Sequence, residues 1–157
     1  MHPIKKILWP TDASDSALRA LDAAIVMASQ FNAKIFALQV VDQIARPNRA
    51  GFAGDPIPFD FPLYEQHMAE SARTNLQEVL TEKVPSPIKT EVHVELGSPR
   101  ETIHNFCRTN AIDLIVMATH GRGGMAHLLL GSVAEATIRQ SQVPVLVIPW
   151  KEAPQGT

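Results

Sequence analysis

Residues 113–124 read Asp113-Leu114-Ile115-Val116-Met117-Ala118-Thr119-His120-Gly121-Arg122-Gly123-Gly124. The run from Asp113 to Ala118 is apolar without alternation, as in a central strand of a parallel sheet buried on both faces. A glycine-rich loop follows, and after Leu128-Leu129-Leu130 the triplet Gly131-Ser132-Val133 opens a helix-period segment, Ser132 to Gln140. A last strand from Val143 to Ile148 closes this strand–helix–strand unit.

The same alternation runs back to the amino end. Ile7 to Trp9, extended to Ile4, reads as a short buried strand ended by Pro10. Ser14 is placed to cap a helix whose apolar positions are Ala17, Leu18, Leu21, Ala24, Ile25 and Ala28. Lys34 to Val41 is the second strand. A helical segment runs from about Leu63 to Lys83, with Met68, Ala72, Leu76, Val79 and Leu80 on one face, before Pro85 and Pro87 break the chain. From Ile88 to Leu96, Ile88, Thr90, Val92, Val94 and Leu96 face one way and Lys89, Glu91, His93 and Glu95 the other. Such a half-wet strand belongs near a sheet edge. Gly97 turns the chain, and Ser98-Pro99-Arg100-Glu101 matches a capping box opening a helix that buries Ile103, Phe106 and Cys107.

Five strands separated by four helices favour parallel pairing with right-handed crossovers. The expected fold is therefore α/β, one doubly wound five-stranded parallel sheet with helices on both faces. The expected organisation is a single domain over 1–157, with a Pro/Gly-rich insertion at about 43–62 and a short tail at 150–157. That insertion carries Pro47, Pro56, Pro58 and Pro62 with Gly51 and Gly54. Either it is a variable surface insertion, or Phe52, Phe59 and Phe61 pack over a ligand or a partner.

Bulk properties narrow the function classes. The chain has 157 residues, 45% of them hydrophobic, which suits a sizeable single core. A formal charge of -2 leaves no basic excess for general nucleic-acid binding. The single cysteine, Cys107, excludes an intrachain disulfide framework and fits a reducing compartment. No apolar stretch approaches the roughly 20 residues needed to span a bilayer, and the run after Lys6 is too short for a signal-peptide core. A cytoplasmic protein without a membrane or nucleic-acid partner is the economical expectation.

Open α/β sheets bind ligands beyond the carboxyl ends of their strands, where strand order reverses. Two segments suit that location: Pro10-Thr11-Asp12 after the first strand, and the loop from Ala118 to Gly131 after the fourth. Glycines let a phosphate chain approach backbone N–H groups that a Cβ would shield. Gly131-Ser132 at a helix start adds N–H donors and the positive end of the helix dipole. The plainer alternative is that Ser132 caps its own helix, the glycines turn the chain, and Asp12 bonds local N–H groups.

These segments resemble the universal stress protein family. The resemblance rests on Ile7-Leu8-Trp9-Pro10-Thr11-Asp12, on Ile115 to Gly121 followed after nine residues by Gly131-Ser132, and on Val143-Pro144-Val145-Leu146-Val147-Ile148-Pro149. It implies a strand order of 3-2-1-4-5 and a site for ATP or a related adenine nucleotide with Mg2+. By the resemblance, Asp12 and Val40 lie at the adenine end beside Pro10 and Thr11, and Met117 and Ala118 lie beneath the ribose. Gly121, Arg122, Gly131, Ser132 and Val133 surround the phosphates. The family's motif begins with glycine where this chain has Ala118. A methyl close to phosphate or ribose would cost about 1–3 kcal/mol by overpacking, and elsewhere it would be neutral. The resemblance also implies that Val143 to Ile148 forms an edge that pairs with its two-fold mate, giving a homodimer, even with Pro144 interrupting its donors.

Sharper enzyme readings lack their residues. There is no Gly-x-x-x-x-Gly-Lys-Ser/Thr run for a P-loop. The stretch Gly121 to Ala126 fits a dinucleotide fingerprint loosely, but no acidic residue follows about 20 positions on to hold a ribose. Pro10 to Ser14 offers neither the histidine-rich nor the Ser-Gly-Gly signature of adenylate-transferring folds. His67, His93, His104 and His127 lack metal-ligand spacing, His120 has no neighbouring acid or nucleophile in sequence, and Cys107 reads as a buried, inert thiol. What remains is an ATP-binding stress or signalling module acting through occupancy, a slow ATP hydrolase, or a nucleotide-free dimeric interaction protein.

Overall fold

The computed structural model describes residues 3–43, 60–120 and 130–149. In chain order these form β1 (Lys6–Thr11), α1 (Asp15–Phe31), β2 (Lys34–Val41), α2 (Phe61–Lys83) and β3 (Thr90–Leu96). α3 (Pro99–Asn110), β4 (Leu114–Ala118), α4 (Ser132–Gln140) and β5 (Val145–Ile148) follow. The strands make one sheet, ordered β3-β2-β1-β4-β5, and every pairing is parallel. This is the α/β, doubly wound arrangement that the alternation of elements implies.

Alternation along the buried strands sorts side chains onto two faces. Ile7, Trp9, Ile35, Ala37, Leu114 and Val116 pack with α1 and α2. Leu8, Phe36, Leu38, Ile115 and Met117 pack with Ile103 and Phe106 of α3 and Ala134 of α4. Helix α1 buries Ala17, Ala20, Ala24 and Ala28 along its sheet-facing side. These short side chains let it lie close, and the buried Trp9 donates its indole N–H to the Ala17 carbonyl at 2.9 Å. Ser14 caps α1 by accepting from the Ala17 N–H, as its position predicts. Asn32, at φ 51°, ends the helix in the left-handed conformation an asparagine tolerates.

Several local expectations are corrected. Pro10 does not end β1: the strand runs on to Thr11, paired with Gln39. At the start of β1, Asp113 acts as a side-chain acceptor rather than a strand residue, taking the N–H groups of both Lys5 and Lys6 at 2.8 Å. Phe61 and Pro62 are not loop but the opening of α2, capped by Asp60, whose carboxylate accepts from Leu63 N–H at 3.0 Å. Met68 is 43% exposed, so the buried face of α2 begins only at Ala72. Ser98 makes no side-chain cap bond, so the capping box is absent although Pro99 does open α3. Val143 lies before β5, packed into the α3/α4 core. No helix among the described residues is long and apolar enough to cross a membrane. Phe52, Phe59, Gly121, Arg122, His127 and the tail lie outside the described residues.

Candidate functional site

Strand order reverses between β1 and β4: the chain leaves β1 toward β2 and β3, and leaves β4 toward β5. At this point the ladder stops early. β1 pairs with β2 through Thr11, but with β4 only at Ile7 and Leu8. The Lys6 carbonyl accepts from Asp113 and the Lys5 carbonyl from Lys34, so even-numbered residues of β1 turn their polar groups toward β4. Pro10 falls in that even set and has no N–H to give. The missing donor therefore faces β4 where the paired ladder ends, at the carboxyl-end crevice that a reversal of strand order creates. That is the location favoured for ligands in open α/β sheets.

Hydrogen bonds hold the walls of this crevice in place. After β1, the Thr11 hydroxyl accepts from Ala13 N–H and the Asp12 carboxylate from Ser14 N–H, both at 3.0 Å. Ala13 takes φ 62° in this turn. Ser16, in the first turn of α1, donates its hydroxyl to the His120 carbonyl at 2.6 Å and so ties α1 to the end of β4. On the far side, Thr119 donates to the Ile148 carbonyl at 3.0 Å and its own carbonyl accepts from Gly131 at 2.7 Å. The start of α4 is thereby pinned to the tip of β4.

Gly131 is the N-cap of α4 with no side-chain cap bond, which makes Ser132 the first helical residue. Ser132 is exposed and does not cap its own helix. The N–H of Gly131 is engaged by Thr119, so the donors without an intrahelical acceptor are those of Ser132, Val133 and Ala134. They stand at the positive end of the α4 dipole.

The other predicted residues divide by side-chain direction. Pro10 and Thr11 are buried at the crevice, and Asp12 lies half-buried beside them. Val40 and Met117 pack into the α3/α4-side core, so at Met117 only the backbone faces the strand ends. Ala118 turns its methyl into the α1-side core. Sequence reasoning missed Ser16 and Thr119, because one looks like an ordinary helix residue and the other like a strand end. Their contacts are 104 and 12 residues distant in sequence and leave no local signal. It also missed the buried Nε2 of His120, which has no hydrogen-bond partner among the described residues, while its Nδ1 lies 3.0 Å from the Thr119 hydroxyl. No group of three or more metal-ligating side chains occurs among the described residues.

Comparison with known proteins bears on the same features. Residues 3–149 match the model of the universal stress protein family. Universal stress protein MJ0531 of Methanocaldococcus jannaschii is 37% identical over 152 residues, covering 94% of this chain and 85% of that protein. The solved structure of MJ0577, from the same organism, superposes with a TM-score of 0.81 at 27% identity, covering 97% of this chain and 100% of that one. Two solved universal stress proteins of the same fold were determined as nucleotide complexes. One holds cAMP (24% identity, TM-score 0.59, 94% and 98% of the chains). The other, from Archaeoglobus fulgidus, holds dAMP (17% identity, TM-score 0.57, 94% and 98%). The chain belongs to the universal stress protein family.

Proposed function

We propose that this stress protein is a cytoplasmic ATP-binding module that acts through ligand occupancy and dimerisation rather than turnover. The observation that carries the reading is the N-terminus of α4, with its open N–H groups, pinned to the tip of β4 where the strand order reverses beside β1. An adenine ring enters beside Thr11 and Asp12, near Val40, and the ribose crosses the backbone at Met117 and Ala118. The phosphates run to Ser132 and Val133, where helix N-terminal donors favour anions. Gly121 and Arg122 complete the phosphate end, while Gly131 contributes a close approach rather than a donor. Mg2+ arrives bound to the phosphates, the usual way a protein without a carboxylate cage carries it. Proteins of the same fold that hold cAMP or dAMP support an adenine nucleotide as the ligand class.

The edge of β5 supports a homodimer. Ile115 donates to the Pro144 carbonyl and Thr119 to the Ile148 carbonyl, so Pro144, Leu146 and Ile148 address β4. The missing N–H of Pro144 thus falls on the inner side. Val145 and Val147 present their donors and acceptors outward, uninterrupted, and a two-fold mate would pair with them.

Titration calorimetry with ATP and Mg2+ tests the nucleotide reading. A saturable heat of association that is weakened by Ser132→Pro, which removes one α4 donor, supports it. No heat at millimolar ligand overturns it.

A further inference from the structure

On the α3/α4 side of the sheet the two helices part around a cavity that lies away from the strand ends. It contains about 450 Å³ of empty space, part of it open to solvent, and reaches down to Ile115 near the start of β4. Val143 and the turn before β5 close its lower end, so it sits toward the amino ends of β4 and β5. The crevice described above lies at their carboxyl ends.

The lining is graded in polarity. Ile103, Ile115 and Thr137 at the floor are buried, and Arg100, Arg108 and Gln140 at the mouth are exposed. Arg100, His104 and Arg108 fall at successive four-residue steps, so they form one row along α3, with Ile103 and Cys107 in the adjacent row beneath. The two arginines stand about 12 Å apart along the axis, which puts a group above His104 within side-chain reach of both. No carboxylate lines the cavity, and neither guanidinium enters an ion pair among the described residues.

Thr137 closes the floor. It is 6% exposed, and its hydroxyl is shut off from solvent with no hydrogen-bond partner among the described residues. The floor of the cavity is therefore apolar to an occupant, and its accessible polar groups stand at the mouth.

We propose that this cavity binds a small amphipathic carboxylate. The carboxylate sits over His104 between Arg100 and Arg108, and the apolar body lies against Ile103, Cys107 and Ile115. Two cations above an apolar pit select such an anion over a neutral apolar molecule, which leaves the cations unmatched.

The probe is 4-hydroxybenzoate, followed by backbone amide NMR of the full chain. Saturable shifts are expected at Cys107, Thr137 and Ser141, with Thr11, Asp12, Ser132 and Val133 unmoved. Arg100→Gln with Arg108→Gln, both exposed and so without effect on folding, should weaken binding about tenfold. The proposal is overturned if no saturable shift develops by tens of millimolar, as for a merely hydrated pit. It is equally overturned if the double arginine variant binds as the parent does, or if the shifts centre on the strand-end loops.

Discussion

Gly131 donates its backbone N–H to the Thr119 carbonyl at 2.7 Å, and a Cβ built on Gly131 would stand 2.8 Å from that same oxygen. The contact joins the N-cap of α4 to the tip of β4, on the wall of the crevice. Its φ of -75° suits any residue, so the demand for glycine here is one of space rather than backbone conformation. Backbone cannot swing aside as a side chain does. Gly131→Ala should therefore lose about 1–3 kcal/mol of stability by overpacking. It should also move the amide resonances of Thr119 and His120 and weaken nucleotide binding. An urea midpoint equal to that of the parent would show that the two segments separate freely.

Ser16 reaches across 104 residues of sequence to the His120 carbonyl. Ser16→Ala removes the donor and leaves a part-buried carbonyl unpaired, which costs about 0.5–1.5 kcal/mol for a neutral bond. Because the bond also sets the distance between α1 and the β4 tip, nucleotide affinity should fall along with stability. Ser16→Thr, which keeps the hydroxyl, should restore affinity more than stability. Calorimetry and denaturation on the three proteins would separate these effects.

Burial pushes the Cys107 thiol up to about 11 from 9.0. Near neutral pH the folded chain then holds about 100-fold less thiolate than an unfolded one, and iodoacetamide should react slower by that factor. A raised acid pKa means that the unfolded chain ionises first as pH rises. The associated stability is present in full below pH 9 and is lost between about 9 and 11. Cys107→Ala should flatten that decline, as followed by urea midpoints across the range.

Ala118 stands where the family motif has glycine, and its methyl packs into the α1-side core. That orientation favours the neutral outcome over a clash with ligand. Ala118→Gly should leave nucleotide affinity within about twofold, because nothing is removed from the crevice. It should cost about 0.5–1 kcal/mol of stability through added backbone freedom within a strand. A gain in affinity of tenfold or more would place the methyl against the ligand after all.

The fold was legible because hydrophobic periodicity reports burial, and burial in this parallel sheet is nearly continuous along β1 and β4 and from Ile35 to Leu38 of β2. Boundaries were less so. Pro10 reads as a strand end because it lacks a donor, yet the pairing that extends β1 is with β2, on the side that Pro10 does not address. Ser98 has the composition of a capping box without its bond. At the site, the motif glycines and Ser132 were visible as a pattern. The engagement of the Gly131 N–H by Thr119 and the tie from Ser16 to His120 depend on contacts between elements, which no local spacing encodes.

Polar groups at Val145 and Val147 face away from β4, and no strand among the described residues pairs with the outer side of β5. If a two-fold mate fills it, removing one outward donor should dissociate the dimer without unpicking the parent sheet. Val147→Pro does this: it deletes an N–H on the free side, and proline is tolerated in edge strands for that reason. Leu146 and Ile148 keep their bonds to β4. The variant should scatter light as a monomer at micromolar concentration where the parent scatters as a dimer, with unchanged far-ultraviolet circular dichroism. Val147→Ala, which trims the side chain but keeps the donor, should remain dimeric and so exclude lost side-chain packing as the cause. A parent protein that is itself monomeric at that concentration would remove β5 as the dimer edge.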